Sequence, residues 1–150
     1  MTEKNYSASL SRIAVLTKDS FEAISEYLFG LSDLDALKLS LTFEEIKEAH
    51  EKYRALLSAL LQNIDKMDAD AAALSGFISA LERERDISTA RRLSAIFEAY
   101  LLWKKSVNDF VSKCDDIFRN KGEKYKLSLN VIYTRTLISS TEHFISALSR

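Results

Sequence analysis

The sequence contains no proline and only three glycines, so it has few residues suited to ending or bending a helix. Its single cysteine cannot form an internal disulfide and favours a reducing compartment. No apolar run approaches the ~20 residues that a membrane-spanning helix needs, and the first apolar run is too short for a signal-peptide core. These absences predict a soluble, cytoplasmic protein that does not use a membrane.

Neither sign of charge dominates, because 21 basic residues face 22 acidic ones and the net charge is −1. Such a chain has no global field to attract nucleic acid or an acidic membrane. With 47% hydrophobic and 29% charged residues over 150 positions, the composition is that of a folded chain. The length predicts one domain spanning residues 1–150.

Apolar side chains recur alternately three and four residues apart, which places them along one side of a helix. Three such stripes are Leu39, Phe43, Ile46, His50, Tyr53, Leu57, Leu60, Ile64 and Met67; Leu93, Ile96, Tyr100, Trp103, Val107, Phe110, Cys114 and Ile117; and Leu127, Val131, Thr134, Ile138, Thr141, Ile145 and Leu148. Helices with such stripes bury them against one another. The sequence therefore predicts an all-α, antiparallel helical bundle of four long helices.

The first half of the chain offers three helix-boundary signals. A first helix is expected from about Ser7 to Phe29, with Gly30 as its C-terminal cap. The residues that keep the spacing of three and four are Leu10, Ala14, Thr17, Phe21, Ile24, Leu28 and Leu31. An extra short helix fits residues 31–41. Thr42 and Glu45 form a capping box, so the next long helix is expected to start there and to end in a turn at 68–70.

The second half offers a break and a polar loop. A helix over 69–85 loses its phase after Leu81, which predicts a break or kink near residue 86 with Asp86 or Ser88 as cap. The alternative is one helix from 69 to 119 containing a stutter. A further helix is expected at 89–119, where Gly122 in the polar loop 119–124 stops it, and a last helix is expected from about Ser128.

Candidate catalytic and metal-binding residues fail their spacing tests. A carboxylate di-metal bundle needs Glu-x-x-His on two helices, but Lys47 stands three residues before His50 and Ser140 stands three before His143. Cys114 lies within an aromatic stripe, where a reactive thiolate is not favoured. We therefore interpret His50 and Cys114 as packing residues and His143 as a surface residue.

An acidic cluster resembles no calcium loop, and common nucleotide-binding and hydrolase motifs are absent from the sequence. Asp65, Asp68 and Asp70 crowd the expected turn, but they lack the glycine and distal glutamate of a calcium loop. Helix capping explains them better. The sequence has no Gly-rich phosphate loop, Gly-x-Ser-x-Gly elbow or Cys-x-x-Cys pair. We expect no catalytic residue, no metal and no cofactor.

Two basic clusters allow a phosphate or single-strand interpretation. They comprise Arg83, Arg85, Arg91 and Arg92, and then Arg119, Lys121, Lys124 and Lys126. Acidic residues interrupt both clusters, and cations are expected near helix C-termini in any case. The clusters therefore support nucleic-acid binding only as an alternative.

The segment 95–103 is apolar on every side of its helix except at Glu98. Such a helix is either central to the core or covered by something else, although lightly exposed apolar residues are common. Phe97, Leu101 and Leu102 are surplus to the inner stripe, so they predict an interface together with Glu98. In an antiparallel pairing of two chains, Glu98 would meet Arg91 or Arg92.

These patterns together favour a non-enzymatic adaptor or inhibitor that binds a protein partner, or itself, through a helical face. One alternative is a bundle that binds a small ligand in an internal pocket near His50, Tyr53, Tyr100 and Trp103. Another is an accessory protein that binds nucleic acid through the basic clusters.

Overall fold

In the computed structural model, the backbone is described for residues 3–37, 43–120 and 123–149, and the side chains for 6–26, 51, 54–113, 115–116 and 133–149. The described residues form four helices: α1 (Glu3–Leu37), α2 (Phe43–Arg83), α3 (Ile87–Asn120) and α4 (Glu123–Leu148). None of them is in a strand. Within this part of the chain, no helix is long and apolar enough to cross a membrane.

The helices pack in a ring in which each one contacts two others. α1 contacts α2 and α4, and α3 contacts the same two helices. Tyr6, near the start of α1, stacks on Phe77, near the end of α2, with ring centroids 4.9 Å apart. Ser20, further along α1, contacts Asn63, which precedes Phe77 on α2. These pairings run in opposite directions, which confirms the predicted antiparallel bundle.

The inner side of α3 matches its predicted stripe wherever the side chains are described. The buried members are Leu93, Ile96, Tyr100, Trp103, Val107 and Phe110. Tyr100 and Trp103 lie against Phe144 of α4, with ring centroids 5.8 and 6.3 Å away. Aromatic pairs at these separations add to the free energy gained from burial, so α3 and α4 meet over an aromatic layer.

The predicted apolar stripes of α1 and α4, the first and last helices, are partly wrong. Among the described side chains of α4, Leu137, Thr141 and Phe144 are buried, whereas Ile138 and Ile145 are only half-buried. Among those described in α1, the buried ones are Ser9, Ile13, Thr17, Ser20 and Ile24. Each helix packs against two neighbours, so its inner face is wider than a single heptad stripe, and spacing alone does not locate its centre.

The expected turn at residues 68–70 is wrong, because α2 continues through it to Arg83. Ala71 is buried and links Met67 to Leu74, so the inner stripe keeps its spacing across the acidic cluster. The stripe runs through Leu60, Ile64, Met67, Ala71, Leu74, Ile78 and Leu81. Burial of this uninterrupted stripe outweighs the low helix propensity of the aspartates.

The break near residue 86 is confirmed and reverses the chain between α2 and α3. The Asp86 amide donates to the Leu81 carbonyl at 2.9 Å and the Arg85 amide donates to the Glu82 carbonyl at 3.1 Å, with Arg85 at φ 65°. This is a Schellman ending with a left-handed residue that is usually glycine. Asp86 then accepts the Thr89 amide through Oδ1 at 3.3 Å and caps α3 as predicted.

The remaining boundaries differ from those expected. α1 continues through Gly30 to Leu37, because glycine lowers helix propensity without ending a helix. Residues 31–37 therefore belong to α1 and not to an extra short helix. α2 starts at Phe43, next to the predicted cap Thr42, which lies outside the described residues. α4 starts at Glu123 and not near Ser128.

Candidate interaction surface

α3 presents two opposite faces, since successive residues turn by about 100° around a helix. One face carries the buried stripe described above. The opposite face carries Ile87, Arg91, Ser94, Ala95, Glu98, Leu101 and Leu102, which we name the outer α3 face. In a bundle helix this side is normally polar, so its apolar members distinguish it.

Three large apolar side chains of the outer α3 face are strongly exposed. Leu102 is 57% exposed, Leu101 46% and Ile87 45%. Two other large apolar side chains are comparably exposed, Val15 of α1 and Leu61 of α2, and each is the only one among the described side chains of its helix. Single exposed apolar residues are ordinary. Here Leu101 and Leu102 are adjacent, and Ile87 lies on the same side of the helix about 21 Å away at 1.5 Å per residue.

The outer α3 face is indented over the part that begins at Ile87 and ends at Glu98. An open depression of about 450 Å³ lies there, lined by Glu82 of α2 and by Ile87, Ala90, Arg91, Ser94, Ala95 and Glu98 of α3. The small side chains of Ala90, Ser94 and Ala95 leave this space, while Arg91 and Glu98 stand at its sides. A partner backbone can approach most closely at such small residues.

Two opposite charges flank the depression without neutralising each other. Arg91 and Glu98 are exposed, and neither forms an ion pair with any residue that the structure describes. They are two helical turns apart, beyond the spacing of three or four residues at which side chains of one helix pair. Both charges are thus available to groups on another molecule.

Arg91 and Arg92, the two arginines expected to face Glu98 of a second chain, have different surroundings in the structure. Arg92 acts electrostatically on the Tyr6 phenol of α1: burial raises the pKa of Tyr6, and the positive charge of Arg92 opposes that rise. Arg91 instead lines the depression together with Glu98. Arg91 is therefore the arginine that belongs to the outer α3 face.

Of the predicted interface residues, Glu98, Leu101 and Leu102 lie on this face, but Phe97 is at its edge. Phe97 is partly buried against the core, and its ring centroid is 6.4 Å from that of Tyr100. Sequence reasoning missed Ile87, Ser94 and Ala95. A spacing of four, three and four residues through Ile87, Arg91, Ser94 and Glu98 was the available signal.

The basic clusters do not form one surface. Arg83, Arg85, Arg91 and Arg92 are exposed near the turn between α2 and α3, among exposed Glu82, Glu84 and Asp86. Arg119 is at the other end of α3, about 50 Å away at 1.5 Å per residue. The side chains of Arg119, Lys124 and Lys126, and all of Lys121, lie outside the described residues. Along α3, the backbone of Arg119 is thus about 40 Å from that of Arg92, the nearest arginine of the first cluster.

The acidic residues at 68–70 join helices and do not cap one. Asp68 accepts a hydrogen bond from the Tyr100 hydroxyl and another from Lys104 Nζ, the latter at 3.0 Å. Asp70 Oδ2 is 3.4 Å from Arg12 Nε of α1. Burial, followed by the bond to Asp68, raises the pKa of Tyr100, so this phenol remains a protonated donor at neutral pH.

The residues of the alternative ligand pocket are not brought together. Tyr100 and Trp103 are buried in the aromatic layer beside Asp68. The side chains of His50 and Tyr53 lie outside the described residues, and on α2 the backbone of His50 is about 27 Å from Asp68. In the described portion of the chain, no three His, Cys, Asp or Glu side chains are placed to hold a metal ion. His143 is exposed, as predicted.

Comparison of the chain with protein-family models, with curated proteins and with solved structures returned no match.

Proposed function

We propose that this protein is a non-enzymatic, cytoplasmic adaptor or inhibitor that binds another protein chain through the outer α3 face. The single observation that carries the proposal is the grouping of exposed Ile87, Leu101 and Leu102 on one face of one helix. Covering these side chains would remove apolar surface from water, which is the dominant favourable term in most protein association. The open depression that begins at Ile87 gives a partner a place of close approach.

The polar groups elsewhere support binding over catalysis. The two carboxylates of the acidic cluster at 68–70, Asp68 and Asp70, both contact residues of neighbouring helices. Their partners hold α2 against α3 and α1, which is a structural use. A small ligand inside the bundle is less well supported, because Tyr100 and Trp103 are packed within the aromatic layer.

The test is partner recovery with matched surface variants. Leu101→Asp combined with Leu102→Asp places charges on the outer α3 face, and Val15→Asp places one at an equally exposed apolar residue of α1. We expect the tagged wild type and the Val15→Asp variant to recover the same bound chain by affinity purification, identified by mass spectrometry. The double variant should lose it while keeping its helical circular dichroism spectrum and melting temperature.

Two results would count against the proposal. One is recovery of the same chain by the double variant at the wild-type level. The other is equal loss with Val15→Asp, since that would reflect a general response to added surface charge and not a binding face on α3.

A further inference from the structure

We propose that the chain bound by the outer α3 face is a second copy of this protein, docked antiparallel about a two-fold axis beside Ser94 and Ala95. The inference rests on the proposed function, because it uses the same face. It adds the identity of the partner, its orientation and its register. A two-fold interface requires a surface that is complementary to itself, and the order of residues on this face meets that requirement.

The first element of self-complementarity is the order of charges. Arg91 lies as many residues before the midpoint between Ser94 and Ala95 as Glu98 lies after it. An antiparallel two-fold therefore brings Arg91 of each copy to Glu98 of the other and forms two identical ion pairs. A parallel arrangement in the same register would place arginine beside arginine and glutamate beside glutamate, which is repulsive.

The second element is the placement of the apolar residues. Ile87 and Leu102 are also equidistant from that midpoint, so each exposed Ile87 would meet the exposed Leu102 of the other copy. Leu101 lies beside Leu102 on the same exposed face. The apolar contacts thus fall at both ends of the paired stretch, outside the two ion pairs.

The third element is the size of the residues at the crossing point. Ser94 and Ala95, which both line the open depression, would face each other there. The distance between packed helices depends on the side chains between them, and these two are small. Close approach at the midpoint lets the larger side chains on either side reach across to the other copy.

The decisive experiment uses charge reversal at the two exposed positions. Arg91→Glu makes the charged pair of the face wholly acidic, and Glu98→Arg makes it wholly basic. In a dimer of either single variant, positions 91 and 98 of the two copies would carry like charges and repel each other at both symmetric places. By analytical ultracentrifugation up to about 1 mM chain, a range that reaches weak association, we expect the wild type to dimerise. Each single variant should dimerise on the order of tenfold more weakly, or worse.

Mixing and recombination of the variants supply the controls. An equimolar mixture of the Arg91→Glu and Glu98→Arg chains should form a heterodimer, because every facing pair is then of opposite charge. The double variant Arg91→Glu with Glu98→Arg should dimerise as the wild type does. Lys18→Glu changes an exposed charge on α1 and should weaken dimerisation much less than either reversal on the outer α3 face.

The outcomes separate this inference from the proposed function. A wild type that remains monomeric over the whole range, or a dimer indifferent to both reversals, overturns the self-pairing. If the Leu101→Asp and Leu102→Asp changes nonetheless abolish recovery of a different protein, the proposed function stands while the partner is not a second copy. Failure of the two single variants to associate when mixed overturns the antiparallel register.

Discussion

Two buried threonines allow a direct test of how a hydroxyl group in the core affects the free energy of unfolding. Thr17 of α1 and Thr141 of α4 are both fully buried. Thr17 Oγ1 donates to the Ile13 carbonyl at 2.7 Å and lies 3.8 Å from Met67 Sδ. Thr141 Oγ1 has no hydrogen-bond partner among the residues that the structure describes. Replacing each by valine keeps the branched shape and exchanges only the hydroxyl for a methyl group.

The expected effects of the two replacements differ in sign. Thr17→Val removes a hydrogen bond whose net value is about 0.5–1.5 kcal/mol, whereas a buried unpaired polar group costs about 1–3 kcal/mol. Helix propensities of threonine and valine are similar, so the backbone contribution nearly cancels. We expect Thr141→Val to raise the free energy of unfolding by about 1–2 kcal/mol and Thr17→Val to leave it unchanged or lower it.

Urea unfolding followed by far-ultraviolet circular dichroism and by fluorescence measures both changes. Trp103 is the only tryptophan and is buried, so its emission reports on the aromatic layer between α3 and α4. The slope of the transition should stay constant if the variants change stability alone. Equal destabilisation by both replacements would refute the reasoning, because it would mean that the Thr141 hydroxyl is as well satisfied as that of Thr17.

Two further predictions concern the turn and the buried phenol. Arg85 holds a left-handed conformation in the turn before α3, so Arg85→Gly should raise the thermal melting temperature, with a gain of about 0.5–1 kcal/mol after the entropy of glycine is counted. The pKa of Tyr100 is raised in the folded state, so the unfolded chain loses this proton first as pH rises above about 10. Stability should therefore fall with rising pH above that value, and the part due to Tyr100 should be absent from Tyr100→Phe in urea unfolding compared at pH 9 to 11.

Local spacing was sufficient to predict the inner side of α3. Leu93, Ile96, Tyr100, Trp103 and Val107 are all buried, because a period of three and four residues can be satisfied by one face of one helix. The same reasoning failed for α4, where Leu137 and Phe144 are more buried than the predicted Ile138 and Ile145. Which of two adjacent apolar residues points inward depends on where the neighbouring helices lie.

The acidic cluster shows why a local signal can mislead. Aspartates are common in turns and caps. The sequence does not show which residues the aspartates at 68–70 contact, so it gave no reason to expect a helix there. In the structure Asp68 meets Tyr100 and Lys104, and Asp70 meets Arg12. These partners lie on other helices, so the reason for the aspartates appears only when the bundle is assembled.

The candidate surface was partly predictable from the sequence. The segment 95–103 has more apolar residues than the inner stripe of α3 accommodates, so Leu101 and Leu102 were expected on another face, together with Glu98. Phe97 was also counted as surplus, but it packs beside Tyr100 at the edge of the core. Ile87 was missed because it is the first residue of α3. Helical spacing at that position is visible only in the residues that follow it.

The division of α3 into two faces separates stability from association in a way that single substitutions can measure. Ile96 is buried, so Ile96→Ala leaves a cavity and removes about 2–5 kcal/mol from the free energy of unfolding. Leu102 is 57% exposed on the opposite face, and substitutions at such surface positions usually stay within about 0.5 kcal/mol. We therefore expect Leu102→Ala to weaken the proposed association while leaving the free energy of unfolding nearly unchanged, and Ile96→Ala to lower the free energy of unfolding.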